Sequence, residues 1–297
     1  MHLLGLVTLL ALAGLIYLAM LVALLAWGLT HPPRRTYSSA VARGGPGSPD
    51  ELDPPLRCEE WTFLSRGRTL SAWDVRGRDS SGPTVIFTHG WGDSRIGALP
   101  RMAALAPLAS RMVAWDLPGH GEAPGLCRLG RHEVADLLAL MERVGGPVVL
   151  FGWSLGAGLC LEAGPDPRIV AIVAEAPYRF QDASARNVLR GASLPSGRTL
   201  DLALLVLGMK GRWKARSDRA ALASRIACPV LVLHGTEDEV CPIDDARAIA
   251  RAAMRATLVE IDGGDHNHLW TEPTWARQCS DAVRAFLPDT ASPVAGR

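Results

Sequence analysis

Val148-Val149-Leu150-Phe151-Gly152-Trp153-Ser154-Leu155-Gly156-Ala157-Gly158 is an apolar run that breaks at Gly-Trp-Ser-Leu-Gly and resumes as small and apolar residues to Ala163. That pattern predicts a buried strand, a cramped turn and a helix. Ser154 then sits at the apex. Gly152 and Gly156 allow the backbone to approach closely where a Cβ would collide. The first N–H groups of the following helix, that of Leu155 foremost, face any negative charge that develops there. A serine hydroxyl is a poor nucleophile unless a general base stands beside it. The rest of the chain must therefore supply that base.

Glu60 to Leu64 and Thr69 to Val75 flank Ser65-Arg66-Gly67-Arg68 and predict an antiparallel hairpin at a sheet edge. The pattern then changes to apolar strands at Thr84–Thr88, Met112–Trp115, Pro147–Phe151, Ile169–Ala174, Val230–Leu233 and Leu258–Ile261. Helical stretches lie at Ile96–Ala109, His132–Val144 and Thr274–Phe286. Buried strands alternating with amphipathic helices predict an α/β fold with a mostly parallel sheet. Residues 179–225 are too many for a simple crossover and predict a helical lid over the C-terminal edge of the sheet, where open α/β sheets bind ligands. Within it the apolar Leu200–Leu207 precedes Lys210, Arg212, Lys214 and Arg216. This segment reads either as a lid helix packed on the core with a solvated basic end, or as one that faces lipid or an acyl chain.

Three loops at predicted strand ends carry further chemistry. His89-Gly90-Trp91-Gly92 offers the amide of Trp91 as a second oxyanion donor, with His89 read as structural. His234-Gly235-Thr236-Glu237-Asp238-Glu239 offers Asp238 as the carboxylate that orients a base, with Glu237 and Glu239 as substitutes. Asp262-Gly263-Gly264-Asp265-His266-Asn267-His268 offers His266 as that base and His268 as its rival. Read as a metal cluster, Asp262, Asp265, His266 and His268 lack a second ligand group of clear spacing, so no metal and no cofactor is expected.

The order Ser154, Asp238, His266, each after a predicted strand, is that of the α/β-hydrolase fold. Together with Asp116-Leu117-Pro118-Gly119-His120-Gly121, these motifs cover about Arg57 to Leu287 and resemble the α/β-hydrolase superfamily. Within it the look is that of the lipase, esterase and serine-aminopeptidase group. The resemblance implies Ser154 as nucleophile, Asp238 and His266 as its partners, and Trp91 and Leu155 as the amides of the oxyanion hole. It implies a serine hydrolase of carboxylic, possibly lipid-derived, esters. An aminopeptidase or amidase on the same triad is the alternative, with Glu175 or Asp182 as a carboxylate for a free amine. A catalytically silent, membrane-tethered binding module is the reading of another class. In departure from the family, Glu122-Ala123-Pro124 follow Gly121 where a Ser is usual.

From Leu3 to Leu29 there is no charged side chain, and at about 1.5 Å per residue a helix of that length crosses a hydrocarbon core of about 30 Å. The stretch lacks the basic start and small-residue cleavage site of a signal peptide. The expected organisation is a membrane helix at 1–30, a flexible Pro-, Gly- and Ser-rich linker at 31–56, the α/β domain at 57–288 and a tail at 289–297. Arg34, Arg35 and Arg43 after the span favour a cytoplasmic domain. The 48% apolar content supports a full core. A net charge of +1 with scattered arginines excludes an electrostatic footprint for nucleic acid. Six cysteines without C-x-x-C spacing predict free thiols. Composition carries no oligomeric state.

Overall fold

The computed structural model describes residues 2–211 and 217–290. Arg212, Lys214, Arg216 and nearly all of the tail expected at 289–297 lie outside them. Eight strands form one sheet in the order β1-β2-β4-β3-β5-β6-β7-β8. The hairpin is β1 (Cys58–Ser65) and β2 (Arg68–Arg76), and β2 also runs antiparallel to β4 (Arg111–Trp115). All other pairs are parallel, through β3 (Thr84–Thr88), β5 (Val148–Trp153), β6 (Ile169–Glu175), β7 (Val230–Gly235) and β8 (Ala256–Ile261). Every residue of β5 and of β7 is buried. That is why these strands read as continuous apolar runs without alternation: helices cover both faces of the sheet.

Ten helices accompany the sheet among the described residues: α1 (His2–Thr30), α2 (Tyr37–Val41), α3 (Leu99–Leu105), α4 (Glu133–Val144), α5 (Leu155–Ala163), α6 (Gln181–Gly191), α7 (Arg198–Met209), α8 (Arg219–Ala223), α9 (Ile243–Ala252) and α10 (Pro273–Thr290). One core holds Leu137, Leu140 and Met141 of α4 with α5 and Ile249 of α9. The other holds Leu99 and Met102 of α3 with Cys279 and Val283 of α10. All six cysteines are free thiols. Helices α6, α7 and α8 occupy the insertion between β6 and β7.

Helix α7 buries Leu200, Ala203, Leu204 and Leu207, the i, i+3, i+4, i+7 stripe of an amphipathic helix, and exposes Leu202, Leu205 and Met209. It packs against α1. Helix α1 is long and apolar enough to cross a membrane by length and composition, a test that a signal sequence also passes. Its residues from Leu3 to Tyr17 are exposed, whereas Leu25 and Ala26 are buried in the first core.

Residues 31–56, expected as a flexible tether, are instead folded onto the domain. Arg34 donates to the carbonyls of Gly121 and Ala123 at 3.0 and 3.1 Å, and Arg35 pairs with Asp93 at 2.9 Å. Thr36 caps α2 in a reciprocal capping box with Ser39. Pro32, Ala40, Pro49 and Leu56 are buried. A composition poor in apolar residues gains its order here from long-range polar contacts. Arg34 and Arg35 thus serve the fold.

Candidate active site

Ser154 links β5 to α5 with φ 52° and ψ −117°. This positive-φ backbone is costly for a residue that carries a Cβ and lifts the side chain off the strand end. A Cβ on Gly156 would lie 1.9 Å from the Thr88 carbonyl oxygen, and one on Gly152 2.4 Å from that of Gly156. Glycine is therefore obligatory on both sides of the turn.

The loops after β7 and β8 converge on it. A Cβ on Gly235 would lie 2.1 Å from the Gly264 oxygen, so these two glycines let the loops touch. His266 places Nε2 3.0 Å from Ser154 Oγ and Nδ1 2.7 Å from Asp238 Oδ2. With Nδ1–H donating to the carboxylate, Nε2 accepts from the serine hydroxyl. The second Asp238 oxygen accepts from the backbone N–H of Val240 and Cys241 at 2.9 and 2.7 Å, which fixes the carboxylate. Burial disfavours the imidazolium of His266. Cys241 and the Asp238 carboxylate outweigh that and raise its pKa above the ordinary histidine range.

The rivals fall away on position. His268 is exposed and bonded through Nδ1 to Asp265 at 2.7 Å, while Glu237 and Glu239 are exposed. His89 donates from Nδ1 to the Gly90 carbonyl at 2.7 Å and accepts from the Leu117 amide at 2.9 Å, and its burial favours the neutral ring. The amides of Trp91 and Leu155 take part in none of the hydrogen bonds found among the described residues. Glu175 is buried in an ion pair with Arg101 and also accepts from Trp270 Nε1 at 2.7 Å. The Glu175 carboxylate is thereby taken up.

Three residues support the site in ways the sequence did not assign. Asp93 accepts from Trp153 Nε1 at 3.1 Å and from Arg35, tying the loop after β3 to the elbow. His234 donates from Nε2 to the Cys241 carbonyl at 2.7 Å beneath Asp238. Cys241 brings its Sγ within 4.8 Å of donor atoms of Asp238 and His266. This is the one metal-compatible trio among the described residues, and two of its members already bond to each other. Asp93 lies one residue past the His89–Gly92 motif, His234 opens the motif that holds Asp238, and Cys241 follows that motif by two residues.

Two cavities open from Ser154, both also bordered by Trp91, Val188 and Val240. One, of about 480 Å³, runs between Leu25 of α1 and Leu189 of α6 over Leu155 and is lined almost wholly by apolar side chains. The other, of about 620 Å³, is mixed in character, with Arg34, Arg43, Glu239 and Asn267 in its wall beside Trp153 and Trp270. Chemically, this is a hydroxyl with an imidazole nitrogen at hydrogen-bond distance, opening to an apolar cavity on one side and to one of mixed character on the other.

The model of the Alpha/beta hydrolase family matches residues 85–278, nearly two thirds of the chain. A pimeloyl-[acyl-carrier protein] methyl ester esterase of Chromobacterium violaceum is 32% identical over 228 residues, 62% of this chain and 87% of that protein. Among solved structures, an esterase of Pyrococcus furiosus superposes with a TM-score of 0.69 at 19% identity, over 88% of this chain and 98% of the other. A membrane phospholipase A described as a bacterial virulence factor gives 0.61 at 16% identity, over 97% and 98%. A strained serine elbow on an eight-stranded sheet, with a matching family model across both halves of the site, leads to one conclusion: the chain belongs to the Alpha/beta hydrolase family.

Proposed function

We propose that the protein is a serine hydrolase that cleaves carboxylic esters of apolar acyl chains by way of an acyl-enzyme on Ser154. The observation that carries this reading is the 3.0 Å approach of His266 Nε2 to Ser154 Oγ, with Asp238 2.7 Å behind the ring. Ser154 Oγ attacks the ester carbonyl as its proton passes to His266. Asp238 holds the tautomer and stabilises the imidazolium, and the amides of Trp91 and Leu155 receive the oxyanion. The imidazolium protonates the leaving alcohol, and water, deprotonated by the same ring, releases the acid.

Three observations favour an ester over an amide substrate. The relatives at about 30% identity are named as esterases. The cavity beside Ser154 is apolar, which suits an acyl chain. Glu175, a candidate for binding a free amine, is occupied by Arg101. Helix α1 is proposed as a retained membrane anchor rather than a cleaved signal, because its last turns are built into the domain: Cys127 N–H donates to the Thr30 carbonyl at 3.1 Å, and Leu25 and Ala26 are buried in the core. Helices α6 to α8 are the proposed lid, with the exposed Leu202, Leu205 and Met209 of α7 turned outward beside α1.

The test is labelling with a fluorophosphonate probe. Wild type is expected to label and Ser154→Ala not, and equal labelling of both refutes the assignment.

A further inference from the structure

We propose that the N-terminal helix is the acyl-chain specificity element of this site, with Gly28 as the position that leaves room for the chain; this rests on the ester-hydrolase reading above. The apolar cavity that starts at Ser154 has three sides. Leu155 and Tyr178 make its floor, Ala185, Val188 and Leu189 of α6 make one wall, and α1 makes the other through Leu21, Leu25 and Gly28. The α1 contribution extends from Leu21 to Leu29, a wall about 12 Å long at about 1.5 Å per residue. A helix invoked only to hold a domain at a membrane has no reason to line the pocket of the nucleophile.

Gly28 is informative because glycine is the least favourable helix residue after proline. A Cβ built on it meets nothing within 4 Å. Close packing therefore does not demand glycine here, and Gly28 borders the cavity on the helix face that also carries Leu21, Leu24 and Leu25. The wall is also held in register. The carbonyl of Leu29 accepts from Trp91 Nε1 at 3.1 Å and that of Thr30 from the Cys127 amide at 3.1 Å. A side chain added at Gly28 would thus project into the cavity from a fixed place and shorten it. Gly5 and Gly14 have equally open surroundings but do not border the cavity.

The experiment uses the full-length protein in detergent micelles and p-nitrophenyl esters of four, eight, twelve and sixteen carbons. The variants are Gly28→Ala, Gly28→Leu and Gly28→Phe, with Met20→Phe, on an exposed position that does not border the cavity, as control. Burying one methylene is worth about fourfold in affinity. The ratio of kcat/KM for the twelve-carbon to the four-carbon ester is expected to fall about fourfold in Gly28→Ala and at least tenfold in Gly28→Leu. Met20→Phe leaves the ratio unchanged. Should Gly28→Phe lose four-carbon turnover as well, Gly28→Ala and Gly28→Leu decide.

A second readout needs no turnover. Quenching of tryptophan fluorescence by 12-bromododecanoic acid, in a Ser154→Ala background, is expected to weaken at least tenfold in apparent Kd on adding Gly28→Leu. Unchanged ratios and unchanged quenching overturn the role of α1. A wild type that binds the bromo-acid through Gly28 but turns over no ester overturns only the hydrolase reading.

Discussion

The indole N–H of Trp91 donates to the backbone carbonyl of Leu29 at 3.1 Å. Trp91 sits on the loop proposed to offer the second oxyanion amide, and Leu29 is in the last turn of α1, where carbonyls lack helical partners. The bond ties the N-terminal helix to the loop after β3. In Trp91→Phe the ring remains and the bond is lost. kcat for a short ester should fall by up to about tenfold with little change in KM, since a misplaced oxyanion donor costs transition-state and not ground-state binding. Steady-state kinetics on a four-carbon ester check this; a change confined to KM refutes it.

The φ of 52° at Ser154 stores strain that glycine does not pay. Ser154→Gly should therefore be more stable than Ser154→Ala by about 1 kcal/mol, while both lose activity, of order ~10⁶-fold in kcat. Chemical denaturation of the two variants gives the comparison.

His266 has its pKa raised by Cys241 and the Asp238 carboxylate against the effect of burial. A base works only when neutral, so kcat/KM should rise with pH through a midpoint above about 6.5, the ordinary histidine value. Asp238→Asn should move that midpoint down and lower kcat by about 10⁴. Stability follows the opposite sign. A raised pKa stabilises the fold fully below about pH 6.5, and the contribution disappears as pH rises through the folded-state value. Asp238→Asn should hence cost more stability at pH 6 than at high pH, which pH-dependent denaturation measures.

Arg101 and Glu175 form an ion pair with side chains 8% and 2% exposed, and Arg101 also stacks over Trp153 at 4.1 Å. Removing one partner leaves a buried charge, so Arg101→Leu should destabilise by about 3–5 kcal/mol. Arg101→Leu combined with Glu175→Leu should recover much of that loss. Urea denaturation of the single and double variants tests the coupling.

What the sequence made legible was whatever is written locally. The apolar strands, the glycines at their ends and the serine at a strand-to-helix turn each leave a short signature, so the sheet and the Ser154, Asp238 and His266 positions could be read from residues a few places apart. Helix α9 was overlooked although Ile243, Ala246 and Ile249 carry its period. The ordering of residues 31–56 was not legible at all. It depends on Arg34 reaching carbonyls 87 and 89 residues away, and such a contact has no local pattern. The same holds for Cys241 beside His266 and for the place of α1 in the cavity wall.

That last placement limits what can be exchanged. On the proposed reading, a foreign apolar segment of equal length would moor the domain equally well, yet the groove beside Ser154 would lose the side chains of Leu21, Leu24 and Leu25 that now line it. The proposed anchor and the domain are then not modules that can be recombined, because Leu25 and Ala26 of the helix are buried in the domain's own core.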